Sequence, residues 1–247
     1  MRILVINPNT TDSMTEAIGT SAAQYAAAGT DVDAISAPWG ARSIEGHMEE
    51  TLAAAAVIQT VAENRDDYDA FVVACYGDPG LYAARELVEA PVVGIAEASM
   101  LMACTVAHRF SVVTVIPRIV PMLTDLVRRY GLDSRCASIR SSGLAVLEIE
   151  DDLEAAGDAI LAEAQLAIQE DGAEAIALGC AGMGPLDSWL RERLPTVPVI
   201  DGVAAAVKMS EALHGYGVTT SKVGAFAHPG PKELLGAAPA LQATIGL

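Results

Sequence analysis

Short apolar segments alternate with longer alanine-rich segments along most of this chain. The short segments are rich in β-branched residues and are predicted as the strands Ile3–Ile6, Val32–Ser36, Ala70–Ala74, Val92–Ile95, Ser111–Val115, Arg135–Ile139, Ala175–Leu178 and Val199–Ile200. The longer segments have helical patterns, as in Ser13–Ala28, Met48–Glu63, Pro79–Glu89, Ile119–Tyr130, Leu153–Asp171 and Leu186–Leu194. Strands that are apolar throughout are buried on both faces, so this order predicts an α/β fold with parallel sheets.

The chain also repeats itself. When Cys75 is placed over Cys180, 105 residues further on, the segment Phe71–Ala74 lies over Ile176–Gly179. Each cysteine ends a predicted strand, and a glycine-containing turn and a helical segment follow it. Self-similarity at one fixed offset indicates two related α/β halves.

These halves are predicted as two pseudo-symmetric subdomains that face each other across a central cleft. The first comprises residues 1–98 and 205–247 and carries Cys75; the second comprises 99–204 and carries Cys180. In open parallel sheets, ligands bind beyond the carboxyl ends of the strands. Four residues lie at such ends: Asn7, Cys75, Thr114 and Cys180. We therefore expect the two cysteines to flank one cleft.

Composition excludes several classes of function. Hydrophobic residues make up 52% of the 247-residue chain, which is enough for a sizeable core, and the formal net charge is −17. So acidic a surface repels phosphate backbones, which argues against nucleic-acid binding and favours a neutral or weakly acidic ligand. The first apolar run, Ile3–Ile6, is too short for a signal peptide, and no run approaches the roughly 18 residues of a membrane span. We expect a cytoplasmic protein without membrane contact.

The four cysteines fall into two groups. None forms a C-x-x-C pair, which argues against a structural zinc site, and a cytoplasmic protein is not expected to form disulfides. Cys104 and Cys136 are assigned to packing. Cys75 and Cys180 occupy matching positions before glycine turns, where helix N-termini are expected to lower the pKa of a thiol from about 8.5.

Other polar residues are candidates for the cleft. Asn7 and Thr114 hold equivalent strand ends and are predicted to contact the ligand, whereas His47 is assigned to solvent or to a helix cap. Asp78 is assigned to a turn or helix cap. The pair Glu97 and Asp201, at an offset of 104, is interpreted as capping or thiol-tuning groups.

Cofactor motifs are missing from the sequence. It contains no G-x-G-x-x-G after the first strand, no G-x-x-x-x-G-K-[ST] and no G-x-S-x-G elbow. Lys208 and Lys222 lack the context of a pyridoxal phosphate lysine. We expect side chains alone to perform the chemistry, with no metal and no cofactor.

Three motifs resemble those of a known family, the aspartate/glutamate/hydantoin racemase superfamily, and within it the hydantoin and allantoin racemases. They are Ile6–Thr10, Ala74–Leu81 around the first cysteine and Leu178–Met183 around the second. Val197–Val203 and Thr220–Lys222 are also similar, so the resemblance covers nearly the whole chain. Two further segments lean towards the allantoin racemases: Ser43–His47 and Asp201–Lys208.

The resemblance implies a racemase that needs neither metal nor pyridoxal phosphate and acts on a five-membered ureide ring, a 5-substituted hydantoin or allantoin. Cys75 and Cys180 would exchange acid and base roles at C5 of the ring. The expected substrate contacts are Asn7, Ile44, Tyr76, Gly77, Thr114, Ala181 and Gly182. Tyr76 replaces the phenylalanine expected in many relatives. Since relatives form oligomers, a homo-oligomer is expected.

Three alternatives remain open at this point. The first is a racemase of an amino acid such as aspartate or glutamate, although such relatives usually carry Thr or Asn where this chain has Tyr76 and Ala181. The second is a decarboxylase or a cis-trans isomerase of small diacids. The third is a non-catalytic protein that binds a small molecule.

Overall fold

The computed structural model describes residues 1–231 and contains two parallel four-stranded sheets. The first sheet has the strand order β2-β1-β3-β4 and consists of β1 (Arg2–Asn7), β2 (Asp31–Ser36), β3 (Ala70–Val73) and β4 (Val92–Gly94). The second has the equivalent order β6-β5-β7-β8 and consists of β5 (Phe110–Thr114), β6 (Cys136–Ser141), β7 (Ala175–Leu178) and β8 (Val199–Ile200). The predicted α/β fold class is confirmed.

Helices flank both sheets. They are α1 (Asp12–Tyr25), α2 (His47–Glu63), α3 (Leu81–Leu87), α4 (Ile95–Val106), α5 (Val120–Arg129), α6 (Glu148–Asp151), α7 (Leu153–Glu170), α8 (Asp187–Arg193) and α9 (Gly202–Tyr216). Short 3₁₀ turns cover Pro117–Ile119, Ala181–Leu186 and Gly224–Phe226. Within residues 1–231, none of these helices is both long and apolar enough to cross a membrane.

Two equivalent helices are exchanged between the halves. Helix α4 follows the last strand of the first sheet, yet it packs against β5, β7 and β8 of the second. Helix α9 follows the last strand of the second sheet and packs against β3 and β4 of the first, beside α1 and α4. One buried apolar cluster therefore runs through both halves, and it includes Val5, Met100 and Ile176.

This exchange bears on the predicted division of the chain. The boundary between residues 98 and 99 falls inside the continuous helix α4. The predicted return of 205–247 onto the first half begins within α9, and residues 232–247 lie outside the described part of the chain. The division into 1–98 plus 205–247 and 99–204 remains a prediction.

The helix after the first cysteine is shorter than predicted. It begins at Leu81 instead of Pro79, because Asp78 and Gly80 adopt positive φ values of 47° and 73°. Residues with such backbone angles cannot continue a right-handed helix. At Gly80 a side chain would also collide with the backbone, since a Cβ there would lie 2.7 Å from the carbonyl oxygen of Ala54. The chain therefore makes a tight turn between Cys75 and α3.

Candidate active site

The two cysteines occupy equivalent places in the two sheets. Cys75 lies two residues beyond the end of β3, and Cys180 lies two residues beyond the end of β7. Both strands are central and fully buried, so the backbone that carries each thiol is firmly held. Cys180 is 9% exposed and Cys75 is partly buried. Both line the same cavity, as the repeat predicted.

This cavity has a volume of about 580 Å³ including its mouth and lies between the halves. The first half contributes all the amide and carboxylate side chains of the wall, and its members are Asn7, Asn9, Met14, Ile44, Glu50, Ala74, Cys75, Tyr76 and Gly77. The second half contributes a largely apolar wall, made of Val115, Ile119, Met122, Leu123, Val146, Gly179, Cys180 and Ala181. No lysine or arginine belongs to either wall among the described residues.

Most of the predicted site residues meet at this cavity. Besides the two cysteines, the wall includes Asn7, Ile44, Tyr76, Gly77 and Ala181. Gly182 lies behind the wall, where a Cβ would be 3.8 Å from the Cys180 sulfur. Thr114 is fully buried and does not reach the cavity.

Thr114 instead supports the second cysteine from behind. Its hydroxyl donates a 2.9 Å hydrogen bond to the carbonyl oxygen of Gly179. A Cβ on Gly179 would lie 2.8 Å from the Cβ of Thr114 and 2.9 Å from the carbonyl oxygen of Val113, so no side chain fits at this position. The close approach fixes the backbone immediately before Cys180.

Asn7 has an internal network of the same kind. Its amide nitrogen donates to Asn9 Oδ1 at 2.8 Å and to Thr15 Oγ1 at 2.9 Å. Its amide oxygen accepts a 3.2 Å hydrogen bond from the backbone N–H of Asn9. The side chain of Asn7 therefore shapes the turn after β1, and Asn9 accompanies it on the cavity wall.

The thiol of Cys75 is electrostatically perturbed. Burial raises its pKa to about 12, with smaller upward contributions from Cys180, Asp78 and Glu50. The backbone N–H of Gly77 acts in the opposite direction, because its hydrogen bond favours the thiolate. The prediction that a helix N-terminus lowers this pKa is wrong, since burial outweighs the N–H donor and α3 begins only at Leu81.

Asp78 connects the turn of Cys75 to two other elements. Its carboxylate accepts hydrogen bonds from the backbone N–H groups of Ala96 at 3.1 Å and Glu97 at 2.9 Å, and so caps α4. It also accepts a 2.6 Å hydrogen bond from the hydroxyl of Tyr130 in the second half. Burial raises the pKa of Asp78 to about 7, against these three donors. The predicted capping role is present, but on α4 and not on the helix that follows.

Asp201 performs the equivalent capping in the second half. It precedes α9 as Gly94 precedes α4, and its side chain accepts a 2.7 Å hydrogen bond from the N–H of Ala204. Burial raises the pKa of Asp201 to about 6. The structural counterpart of Asp201 is therefore Gly94 and not Glu97, whose carboxylate pairs with Arg85.

The other two cysteines lie away from the cavity. Cys136 is partly buried, and burial raises its pKa to about 11. Cys104 is partly buried as well and packs against the main apolar cluster. Their positions agree with the assignment to packing.

Sequence reasoning missed several wall residues. Glu50 lies one turn into α2, and its side chain is 27% exposed. The apolar residues Ile119, Met122 and Leu123 come from the second half at and after the turn that follows β5. The sequence predicts a helix for these apolar residues, but nothing in it indicates that they face the cysteines. Among residues 1–231 no cluster of three His, Cys, Asp or Glu side chains could hold a metal ion.

The hydroxyl of Tyr76 is engaged behind the wall. It lies 2.8 Å from the hydroxyl of Ser99 in a buried pair, and burial raises the pKa of the phenol. Tyr76 therefore presents its ring to the cavity region while its polar end is satisfied inside the protein.

Comparison with known proteins identifies the family. The Asp/Glu/Hydantoin racemase family matches residues 3–210. A hydantoin racemase from Pseudomonas sp. (strain NS671) is 47% identical over 238 residues, which cover 96% of this chain and 95% of that protein. The structure of allantoin racemase from Klebsiella pneumoniae superposes with a TM-score of 0.94 at 47% identity, covering 98% of both chains. Allantoin racemase from Pseudomonas fluorescens superposes with a TM-score of 0.92, also at 47% identity, covering 96% of this chain and all of the other. These similarities support racemase function, and the chain belongs to the Asp/Glu/hydantoin racemase family.

Proposed function

We propose that this protein is a cofactor-independent racemase in which Cys75 and Cys180 act as a paired acid and base at C5 of a five-membered ureide ring. One observation carries the proposal: the two thiols come from equivalent strand ends of two separate sheets and line a single cavity. Inversion at carbon requires a proton to leave one face and another to arrive at the opposite face. Two groups on facing halves suit that requirement.

The reaction proceeds through a carbanion next to a carbonyl group. The thiolate of one cysteine removes the C5 proton, and the electron pair of the C–H bond is delocalised onto the C4 oxygen as an enolate. The thiol of the other cysteine then delivers its proton to the opposite face, and the roles reverse for the other enantiomer. Backbone N–H groups in the turns after the cysteines are suitable donors for the enolate oxygen.

The walls of the cavity favour a neutral ring. A hydantoin or allantoin ring carries N–H donors and carbonyl acceptors, which match the amides and backbone groups of the Asn7 side. The apolar wall around Ile119, Leu123 and Val146 suits an apolar C5 substituent. The described walls contain no lysine or arginine that could pair with the carboxylate of an amino-acid substrate. The names of the relatives, hydantoin racemase and allantoin racemase, point to the same class of ring.

Isotope exchange tests the assignment of the thiols. We expect Cys75→Ser and Cys180→Ser each to lower racemisation of single enantiomers of allantoin and 5-substituted hydantoins by at least 100-fold, since one face loses its proton donor or base. In D₂O, each variant should still exchange C5–H of one enantiomer without inverting it, and the two variants should differ in which enantiomer they exchange. Cys104→Ser, away from the cavity, is the matched control and should racemise normally.

The proposal fails if either active-site variant racemises at near wild-type rates. It also fails if the wild-type protein exchanges no C5–H with solvent. The predicted homo-oligomer and the cytoplasmic location are expectations that sedimentation and cell fractionation would test.

A further inference from the structure

A two-thiol racemase leaves its site in the wrong protonation state after every turnover. The cysteine that began as thiolate ends as thiol, and its partner ends as thiolate. Before the same enantiomer can be converted again, one thiol must lose a proton and the other must gain one. The cavity therefore needs a route by which protons reach solvent, and this inference rests on the proposed function.

Few groups of the described wall can serve as that route. The amides of Asn7 and Asn9 do not ionise near neutral pH. Tyr76 ionises, but its hydroxyl is paired with Ser99 inside the protein, and burial raises its pKa. Glu50 is the remaining ionisable wall residue besides the two cysteines.

Glu50 is placed next to the turn of Cys75. A Cβ built on Gly77 would lie 2.9 Å from Glu50 Oε1, so the carboxylate lies against the same backbone whose N–H bonds the Cys75 thiol. Glu50 and Cys75 line the same cavity, and the charge of Glu50 adds to the upward shift of the pKa of Cys75. A side chain at position 77 would displace this carboxylate from its place.

The second carboxylate oxygen of Glu50 lies beside His47, which is exposed to solvent. Oε2 lies 4.0 Å from Nδ1 of His47, one turn earlier on α2, and the side chain of His47 is 80% exposed. Glu50 itself is 27% exposed, which places its carboxylate between the cavity and the surface. The charged groups that act on it are His47 from its own helix and Arg129 from α5, while burial raises its pKa above the ordinary value.

We propose that Glu50 carries protons between Cys75 and solvent, with His47 as the outer member of the route. The reset step returns the two thiols to their starting protonation states. In this step, the carboxylate takes the proton of the Cys75 thiol, and the electron pair of the S–H bond remains on sulfur. The carboxylic acid then passes this proton to His47 Nδ1 or to water. The thiolate of Cys180 takes one proton from water in the cavity. The hydroxide that this leaves is neutralised by the proton released from Cys75, so the net charge of the site does not change.

Steady-state kinetics separates this role from substrate binding. Reset follows product release, so slowing it lowers kcat and KM by the same factor. We expect Glu50→Gln to lower both at least tenfold, with product inhibition by the opposite enantiomer becoming noncompetitive. Glu50→Ala should behave likewise and should recover kcat at least threefold when formate or imidazole is added. Glu49→Gln is the matched control, because Glu49 precedes Glu50 on α2 but is not part of the cavity wall.

Other outcomes overturn the proposal. If KM rises in Glu50→Gln while kcat is unchanged, Glu50 binds substrate and does not carry protons. If kcat falls without a fall in KM, the residue acts in the chemical step. An unchanged kcat also excludes the relay. Absence of racemisation in the wild-type protein would instead reject the proposed function itself.

Discussion

Helices α4 and α9 occupy equivalent places, but their capping carboxylates come from different positions, Asp78 and Asp201. This difference allows a strong test of the structural equivalence between the halves. Gly94 and Asp201 precede α4 and α9 with nearly the same backbone angles, φ −85° and ψ 142° against φ −75° and ψ 132°. In the first half the capping carboxylate comes from Asp78 instead. A Cβ on Gly94 would lie 2.3 to 2.5 Å from the carboxyl atoms of Asp78, so that carboxylate fills the space of the missing side chain.

Each single substitution should destabilise the protein. Gly94→Asp forces a Cβ into the Asp78 carboxylate, and overpacking of this kind costs about 1–3 kcal/mol, before the repulsion of two carboxylates. Asp78→Gly removes a helix cap worth about 0.5–2 kcal/mol and leaves the hydroxyl of Tyr130 unpaired at about 1–3 kcal/mol. Relief of the positive φ at position 78 offsets a fraction of that loss.

The double variant Gly94→Asp with Asp78→Gly should recover stability, because it copies the arrangement at Asp201. The Asp at position 94 would have room and could cap α4 from its own N-terminus. We expect the double variant to be more stable than the sum of the single effects predicts by about 2 kcal/mol, a coupling typical of residues in direct contact.

Urea unfolding followed by circular dichroism measures all four proteins, provided that the slope of unfolding free energy against urea stays constant. Gly215→Ala is the control, since a Cβ there meets no atom within 4 Å and alanine favours the helix. Additive effects, with a coupling below about 0.5 kcal/mol, would refute the claim that Asp78 and Asp201 fill equivalent capping sites from different positions in the chain.

Two further predictions follow from raised pKa values. Because the pKa of Asp201 is about 6 in the folded protein and about 3.9 when unfolded, its protonation stabilises the fold below pH 4 and this contribution is lost as pH rises through 6. Asp201→Asn keeps a capping oxygen and should therefore gain up to about 3 kcal/mol relative to wild type between pH 4 and 8, measured by urea unfolding; a constant difference would contradict the raised pKa. Alkylation of Cys75 by iodoacetamide, followed by mass spectrometry, should be slow at pH 7.5 and rise about tenfold per pH unit, and a plateau near pH 9 would show a normal thiol.

The sequence was informative where a local pattern decides the structure. The eight predicted strands correspond to β1–β8, because each is a short segment that contains Val or Ile and lies between longer helical segments. The edge strand β6 is the least accurate: Arg135–Ile139 was predicted and Cys136–Ser141 is found. All six of its residues are only partly buried, so no apolar run marks its limits.

The candidate site was predictable only as far as the repeat extends. The offset between Cys75 and Cys180 predicts that both thiols line one cavity, because equivalent strand ends in facing sheets converge there. Thr114, at an equivalent strand end, turned inward to Gly179 instead. No sequence pattern indicates that Glu50 lines the cavity, since its position depends on how α2 packs beside the turn of Cys75. The pairing of Asp78 with Gly94 depends on a contact between two loops that no local pattern encodes.

The different positions of the two capping carboxylates make the two thiols unequal, although the fold around them is nearly symmetric. Cys75 has a buried carboxylate three residues away, whereas the corresponding position after Cys180 is the apolar Met183. For the proposed racemase this inequality has a limited effect, because the two enantiomers have equal free energy in an achiral solvent. The equilibrium constant is therefore unity, and kcat/KM must be equal in the two directions at every pH. If the thiols make kcat differ between the two directions, KM must differ by the same factor. Evolution can therefore let one thiol depart from the other, as the Asp78 turn does here, without favouring either enantiomer at equilibrium.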